Sequence, residues 1–242
     1  TIVDAGHTTN PAINFTSPTP ANASSQAETN VEVNVSIAEA NLDSVTYNWN
    51  GTNFTMYNDS LVLMMNFDNI SSIGDNDSTS TDLSQYNNHG DLLGNAGYNI
   101  SGKYGSGLQL DGEDDYMNLS HTSSLNITGA ITISLWERTA DIDVTATWGM
   151  SIFGRGFYGD PRNTMDLRVR ATGDTAVFGY EYGSGANSDY AIGTTDITDG
   201  NWHHIVAQWN GTDCLVYVDG SYENSTSCPN APGPFDQGFV LG

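Results

Sequence analysis

Short apolar segments that alternate with turn residues constrain this chain more than any other feature. No window of about 11 residues shows the 3.6-residue periodicity of an amphipathic helix. Segments that fit strands are separated by Gly, Asn, Asp and Ser at the spacing typical of a β-sandwich. The dipeptides Asn210-Gly211 and Asp219-Gly220 predict type I′ hairpins, and therefore a meander of three strands. The predicted strands are 31–37, 44–49, 52–57, 61–67, 107–111, 115–119, 131–138, 148–154, 164–170, 175–182, 201–209, 213–218 and 237–241.

A change in composition near residue 59 divides the chain. Residues 10–30 are rich in Pro, Ala, Ser and Thr, so we expect residues 1–30 to be a linker or an extended edge segment. Residues 31–59 hold too few strands for an independent sandwich, and we expect a small, partial Ig-like β segment there. Residues 60–242 then form a second, larger domain.

The charge of the chain is strongly negative. It has 29 acidic and six basic residues, a formal net charge of −23, yet only 14% of its residues are charged. A chain without a basic patch cannot release counterions from phosphates, which excludes a nucleic-acid partner. The longest apolar run, Leu61–Met65, is far shorter than the roughly 20 residues of a membrane helix. We therefore expect a surface of neutral polar groups, typical of an extracellular β-protein.

Glycosylation sequons are more frequent than composition alone explains. They include 13 of the 25 asparagines, where chance gives about five. In the predicted strand 31–37, alternation places Asn34 opposite the valines, on the solvent side. We expect several sequons to carry N-linked glycans; the alternative is that an Asn- and Thr-rich chain makes sequons by composition. The acceptors are Asn14, Asn22, Asn34, Asn50, Asn53, Asn58, Asn69, Asn76, Asn99, Asn118, Asn126, Asn210 and Asn224.

The two cysteines, Cys214 and Cys228, flank a predicted hairpin. In an exported protein this pattern predicts a disulfide that closes a short loop, and the alternative is two free buried thiols. Together with the sequons, the cysteines predict an extracellular or cell-surface location.

Five segments resemble a known family in order and spacing. They are LVLMMNFDN, DLSQYNNHGDLLG, GKYGSGLQLDGEDDYMNL, ITISLWERT and NWHHIVAQWNGTDCLVYVDGSY, within about residues 61–225. Together they resemble laminin-G-like, concanavalin A-like domains. The resemblance implies an antiparallel jelly-roll β-sandwich for residues 60–242. A looser resemblance, from YNWNGTNFTMYNDSLVLMMNFDN, is to segments of archaeal cell-surface glycoproteins.

The resemblance also leaves one strand unaccounted for. Domains of this family usually finish with a strand that returns beside the first, and this sequence ends at GPFDQGFVLG. We therefore expect the closing strand to be missing. Either the sequence is part of a longer polypeptide, or a neighbouring copy supplies the strand by β-augmentation, as in a polymer.

No pattern predicts catalysis. Glucanases with this sandwich carry a Glu-x-Asp-x-(x)-Glu run, which this sequence lacks. The nearest group, Glu137, Asp141 and Asp143, is interpreted as a strand end that enters a solvated acidic loop. His203 and His204 are interpreted as packed strand residues. We expect no enzymatic activity.

Calcium is the expected cofactor, alongside the covalent glycans. The segment 67–90 is rich in oxygen ligands, and the resemblance implies a calcium ion near Asp82 and the Asn-Asn-His-Gly turn. The alternative is a solvated acidic loop. The predicted ligands are Asp68, Asp82 and Asn88, with Asp75 and Asp77 as further candidates.

The expected function is adhesion or recognition at a cell surface, with glycans or surface proteins as partners. One alternative is a structural subunit that assembles with copies of itself into a surface layer or filament. Another is an accessory carbohydrate-binding module of a larger polysaccharide-degrading enzyme. Sugar-contacting aromatic residues would be exposed beside Asp or Asn. The candidates are Trp148, Phe157, Tyr158, Tyr180, Tyr182 and Tyr190.

Overall fold

The computed structural model describes nine stretches of the chain: residues 2–4, 12–17, 19–25, 33–38, 42–140, 149–155, 164–182, 187–229 and 237–242. Their regular structure is nearly all β, with one 3-10 turn at Ser71–Ile73 and no α-helix in these stretches. The chain divides into two compact units, Thr1–Val62 and Leu63–Gly242. No helix in the described stretches is long and apolar enough to cross a membrane.

The first unit contains two small antiparallel sheets. One has three strands in the order β1-β4-β5, and the other pairs β2 with β3. Asn50 and Gly51 both have positive φ in the turn between β4 and β5, as a type I′ hairpin requires. The Ig-like assignment of residues 31–59 stays a prediction. The strands are β1 (Ile2–Asp4), β2 (Ala12–Thr16), β3 (Asn34–Ala38), β4 (Leu42–Trp49) and β5 (Thr52–Tyr57).

The second unit is built on two large antiparallel sheets, which confirms the predicted jelly-roll fold class. Eight strands follow the order β15-β14-β13-β12-β19-β10-β7-β6, and four follow β11-β16-β17-β18. β8 and β9 form a separate two-stranded sheet. The strands are β6 (Thr79–Ser80), β7 (Gly90–Leu93), β8 (Gly97–Asn99), β9 (Gly107–Gln109), β10 (Tyr116–Leu119), β11 (Ile131–Glu137), β12 (Met150–Arg155), β13 (Thr164–Val169), β14 (Thr175–Tyr182), β15 (Asn187–Asp196), β16 (His203–Trp209), β17 (Asp213–Val218), β18 (Ser221–Ser227) and β19 (Phe239–Leu241).

The core lies between the two large sheets. Alternate residues of β16 point inward, so this strand buries Ile205, Ala207 and Trp209. The rings of Trp209 and Tyr180 pack edge to face with their centroids 6.0 Å apart, and this contact joins the two sheets. Further core side chains are Met117, Leu119, Met165, Leu167, Phe178, Val216, Val218 and Phe239.

The meander of β16, β17 and β18 confirms the prediction, with one correction. Asp219 and Gly220 have φ of 50° and 78°, as a type I′ turn requires. At Asn210-Gly211 the type I′ prediction is wrong, because only Gly211 has positive φ. Instead, the Asn210 side-chain Oδ1 accepts the backbone N–H of Thr212 and Asp213, which organises a longer loop.

The predicted strand at 61–67 is wrong. Residues 61–70 form no strand, and the backbone of this segment bonds to partners outside any strand ladder. The N–H of Met64 donates to Asp82 Oδ1, and the Met64 carbonyl accepts the N–H of Leu83. The predicted strand at 237–241 is confirmed as β19, which pairs with both β10 and β12 inside the large sheet. That a further closing strand is missing stays a prediction.

One carboxylate ties the edges of the two large sheets together. Glu223 of β18 accepts hydrogen bonds from the backbone N–H and the hydroxyl of both Thr194 and Thr195 of β15. Beside it, Asn224 Nδ2 donates to the Ile192 carbonyl at 2.9 Å. β15 and β18 are each the last strand of their sheet, so this seam closes one side of the sandwich.

Candidate functional site

The outer face of the four-stranded sheet carries aromatic and polar side chains that the core does not use. Trp136 of β11 lies opposite His204 of β16, and Val206 lies opposite Tyr217 of β17. These residues have the opposite strand parity from the buried ones, so the same alternation that builds the core presents them outward. Gln208 lies on the same outward side of β16 as His204 and Val206, and its Nε2 donates to Thr132 Oγ1.

A shallow, open groove of about 330 Å³ runs along this face. It is lined by His204, Val206, Gln208, Tyr217 and Gly220. Gly220 has no side chain to close the end of the groove, and its surroundings are open. Beyond the groove the ring of Tyr222 packs edge to face on Tyr217, with centroids 5.6 Å apart. The groove thus combines an aromatic wall with amide, imidazole and phenol groups that hydrogen-bond.

The loop between β8 and β9 borders the groove on the β11 side. Lys103 Nζ lies 4.3 Å from the centroid of the Trp136 ring, and the Tyr104 ring meets Trp136 edge to face at 5.9 Å. His204 lies 5.1 Å from the same indole. Lys103 is the only lysine of the chain, so a cation stands at this groove in an otherwise acidic protein. A ligand can find here both a stacking surface and a positive charge.

Below the groove, at the end of the inner face, three carboxylates surround one imidazole. His203 Nδ1 is 2.8 Å from Asp219 Oδ2, and its Nε2 is 3.2 Å from Asp199 Oδ1. Burial alone would lower the pKa of His203, but these two carboxylates raise it. Glu137 lies opposite His203 on β11, and burial raises the pKa of Glu137 to about 7. Glu137 is therefore half-buried beside His203, whereas the sequence placed its carboxyl at the start of a solvated loop.

The aromatic residues named from the sequence fall into four groups. Tyr180 is buried in the core, so its candidacy as an exposed sugar contact is wrong. Tyr190 is half-buried on β15, where its ring lies 4.3 Å from the Arg168 guanidinium and its hydroxyl donates to Glu181. For Tyr182 the structure describes only the backbone, in β14. Outside the described residues lie Trp148, Phe157 and Tyr158, together with Asp141 and Asp143.

Tyr190 belongs to a polar network on the outer face of the eight-stranded sheet. Arg168 Nη1 contacts Asp166 Oδ2 at 3.0 Å and the Tyr190 hydroxyl at 3.3 Å. Ser151 donates to the other Asp166 oxygen, and burial raises the pKa of this carboxyl. Because these polar contacts run between members of the network, it braces β12 to β15 rather than offering a groove.

The residues predicted to bind calcium organise loops in this structure. Asp82 accepts four hydrogen bonds, from the N–H of Met64, Ser84 and Asn88 and from the Ser84 hydroxyl. Asn88 is buried beside it, and its Oδ1 accepts the hydroxyls of Thr122 and Ser124.

The other predicted ligands lie apart from this pair. Asp68 accepts the N–H of Ser106, and the two oxygens of Asp75 accept the N–H of Thr81 and Ile70. Asp77 is exposed. No three of the four predicted carboxylates bring oxygens within 4.8 Å of one another in the described residues. That Asp68, Asp82 and Asn88 bind a calcium ion therefore stays a prediction.

Replacing Asp82 tests which role its carboxylate has. We expect Asp82→Asn to lower the free energy of unfolding by about 2 kcal/mol, because one of its two oxygens becomes a donor that faces N–H groups. Urea unfolding with a chelator present measures this loss. A loss that appears only when calcium is present would identify Asp82 as a metal ligand instead.

A different acidic group could hold a metal. Asp111, Asp114 and Asp115 bring carboxylate oxygens within 4.8 Å of one another in the loop before β10. Asp115 already accepts the backbone N–H of Asn95 and Asp111. Backbone N–H donors lower the pKa of Asp111. The loop is exposed, so hydration can satisfy the remaining oxygens.

The structure places nine of the 13 sequon asparagines at exposed positions. Asn99, Asn118 and Asn126 are half-buried, and for Asn34 only the backbone is described, in β3. Their occupancy stays a prediction. The exposed acceptors are Asn14, Asn22, Asn50, Asn53, Asn58, Asn69, Asn76, Asn210 and Asn224.

Cys214 and Cys228 are joined by a disulfide, and both are buried. The bond links β17 to the residue that follows β18. The Trp209 indole N–H donates to the Cys228 carbonyl at 3.0 Å, which ties the same residue to β16.

The groove was not predicted from the sequence. Trp136 and Tyr217 sit at the strand positions that alternation assigns to solvent. Large aromatic residues at outward positions of two strands were the available signal. The register between β11, β16 and β17, which brings them to one face, is not readable from one sequence.

Solved structures share this fold at low identity. The binding domain of Paraclostridial Mosquitocidal Protein 1 is 16% identical with a TM-score of 0.56, over 69% of this chain and 42% of that one. Domain 4 of AbnA, a GH43 extracellular arabinanase from Geobacillus stearothermophilus in complex with arabinotriose, is 20% identical with a TM-score of 0.52, over 67% and 77%. The binding domain of Botulinum Neurotoxin DC in complex with SialylT is 13% identical with a TM-score of 0.51, over 74% and 43%.

The chain spans less than half the length of the two toxin chains. Among curated proteins, none matches the chain. The profile of the Laminin_G_3 family matches residues 111–242, more than half of the chain, and covers β10 to β19. By this match and by its two-sheet fold, the chain belongs to the concanavalin A-like lectin/glucanase superfamily.

Proposed function

We propose that this chain is a non-enzymatic, extracellular binding domain that acts in adhesion or recognition at a cell surface. Its ligand occupies the groove on the outer face of the four-stranded sheet. The observation that carries the proposal is the groove itself, where Tyr217, His204 and Gln208 place an aromatic ring beside hydrogen-bonding groups. This combination suits the alternating apolar and hydroxyl surfaces of a sugar, and also a polar peptide.

The solved relatives indicate which ligands to test first. Domain 4 of AbnA was solved with arabinotriose, and the neurotoxin binding domain was solved with SialylT. Both concern other proteins at low identity, so they support sugars as the first class to screen. If the chain is part of a polysaccharide-degrading enzyme, the same groove serves the accessory-module alternative.

Sequons and the disulfide support the extracellular part of the proposal. Nine exposed sequons would give a glycan coat, and a buried disulfide persists in oxidising compartments. The archaeal type of glycoprotein rests only on the looser sequence resemblance. A bound calcium ion also remains a proposal, and titration calorimetry with CaCl₂ on chelator-treated protein tests it.

Replacing Tyr217 tests the groove. On a glycan array we expect Tyr217→Ala to weaken binding about tenfold, because an aromatic contact contributes about 1 kcal/mol or more. Tyr116→Ala is the matched control, since Tyr116 is an exposed tyrosine on β10 of the other large sheet. Equal binding by wild type and Tyr217→Ala would show that the ligand lies elsewhere.

A further inference from the structure

The first unit exposes two apolar sheet faces. On the sheet of β4 and β5, Tyr47 and Phe54 stack at 5.2 Å, and Trp49 and Met56 lie on the same side. All four are exposed, Trp49 by 65%. A three-stranded sheet needs an apolar face covered by another element to be stable. This face has the composition of a sandwich core but no cover among the described residues.

The sheet of β2 and β3 repeats the pattern. Ile13 lies opposite Ile37, and Phe15 lies opposite Val35, so their side chains share one side of the sheet. Phe15 is 71% exposed. Two separate sheets of one unit therefore each present an apolar side to solvent.

Sequons occupy the other side of both sheets. Asn53 pairs with Asn48 through a 2.8 Å hydrogen bond, on the side opposite Tyr47 and Phe54. Asn14 lies opposite Ser36, on the side away from Phe15. Glycans on these asparagines would cover the polar sides and leave the apolar sides open to a protein.

The amount of exposed apolar surface matches an interface. At about 200 Å² for a large side chain, the exposed fractions of eight residues leave roughly 900 Å² per chain, near the 800 Å² that each partner gives a standard interface. The described side chains on these apolar sides carry no charge. The eight residues are Ile13, Phe15, Val33, Val35, Tyr47, Trp49, Phe54 and Met56.

We propose that these faces are the contact through which two copies of this chain associate, each sheet of one copy covering an apolar face of the other. A second copy is the occupant that the surface favours, because every chain brings both halves of a two-layer core. The absence of charge on the faces also favours this contact. Each copy carries a net charge of −23, so two copies repel each other wherever charged surfaces meet, and uncharged faces add no such repulsion. This site is separate from the groove, so either proposal can fail without the other.

Sedimentation velocity of the full chain tests the association. From about 1 to 100 µM protein we expect the mass to rise from one chain to two, and added NaCl to strengthen the dimer because it screens the negative charge. Trp49→Ser and Phe15→Ser should each weaken association about tenfold or more, since each removes an aromatic anchor. Because both side chains are exposed, neither substitution should unfold the chain.

The control is Tyr222→Ser, which removes another exposed aromatic side chain, from a sheet of the second unit. We expect it to leave the dimer unchanged. A chain that stays monomeric at about 100 µM in high salt would overturn the proposal, because the apolar faces would then not join two copies. A dimer that Tyr222→Ser weakens as much as Trp49→Ser would overturn it too, because the contact would then lie in the second unit.

Discussion

Loss of the disulfide between Cys214 and Cys228 should lower the free energy of unfolding by about 3 kcal/mol, the effect expected for a loop of about 15 residues. The two cysteines are 14 positions apart and enclose the hairpin of β17 and β18. Without the bond the unfolded chain regains the freedom of this loop, while the folded sheets keep their ladder. The double substitution Cys214→Ala/Cys228→Ala and urea unfolding measure the loss.

Reduction provides the control for this prediction. A reductant should destabilise the wild type by a similar amount and leave the double variant unchanged, since the variant has no other cysteine. If the variant unfolds at the same urea concentration as the oxidised wild type, the disulfide does not stabilise the protein by restricting the unfolded chain.

A second large effect is expected from pH, through the carboxyl of Glu137. Its pKa is about 7 in the folded protein against an ordinary value of 4.5, because burial disfavours the charged form. Above pH 4.5 the unfolded chain loses this proton first, so stability falls as the pH rises and reaches its lower level above pH 7. A shift of this size on a partly exposed group amounts to about 2 kcal/mol.

His203 acts in the same direction. The carboxylates of Asp219 and Asp199 raise its pKa above the ordinary 6.5 although burial opposes them. The stabilisation from these pairs is complete below pH 6.5 and is lost as the pH rises through the folded pKa. Between pH 5 and 8 the two groups therefore both favour the acidic side.

Glu137→Gln separates the two contributions. Glutamine stays neutral and keeps an oxygen for the Thr139 hydroxyl, which donates to Glu137 Oε2 at 2.9 Å. We expect the variant to match the wild type near pH 4.5 and to exceed its stability by about 2 kcal/mol at pH 8. Thermal unfolding across this range measures the difference. Parallel curves for the two proteins would show that Glu137 does not contribute to the pH dependence.

The sequence predicted most of the fold of the second unit because alternation and turn residues are local. Residues 201–225 are an example, where parity and an Asp-Gly turn define three strands. The strand predicted at 61–67 was wrong because a continuous apolar run does not show the alternation of apolar and polar residues that marks a strand. Its backbone instead bonds to Asp82, which lies far along the chain. β15 was missed because its residues Asn187–Asp196 are largely polar.

The candidate site was less accessible to sequence reasoning. Asp82 was expected to bind a cation, but whether a carboxylate meets a metal or four hydrogen-bond donors depends on loops that only the fold brings together. The groove requires the register of three strands. In the same way, the burial of Glu137 follows from its position opposite His203, not from its own segment.

The Glu223 seam has a consequence for how copies of this sandwich can join. An edge strand normally offers its unpaired backbone to a strand from another molecule. At the seam, Glu223 uses the N–H groups of Thr194 and Thr195, and Asn224 uses the Ile192 carbonyl, so the two facing edges bond to each other. A strand added to β15 along residues 192–195 would have to displace these three backbone contacts, so this stretch of the edge is protected from strand addition.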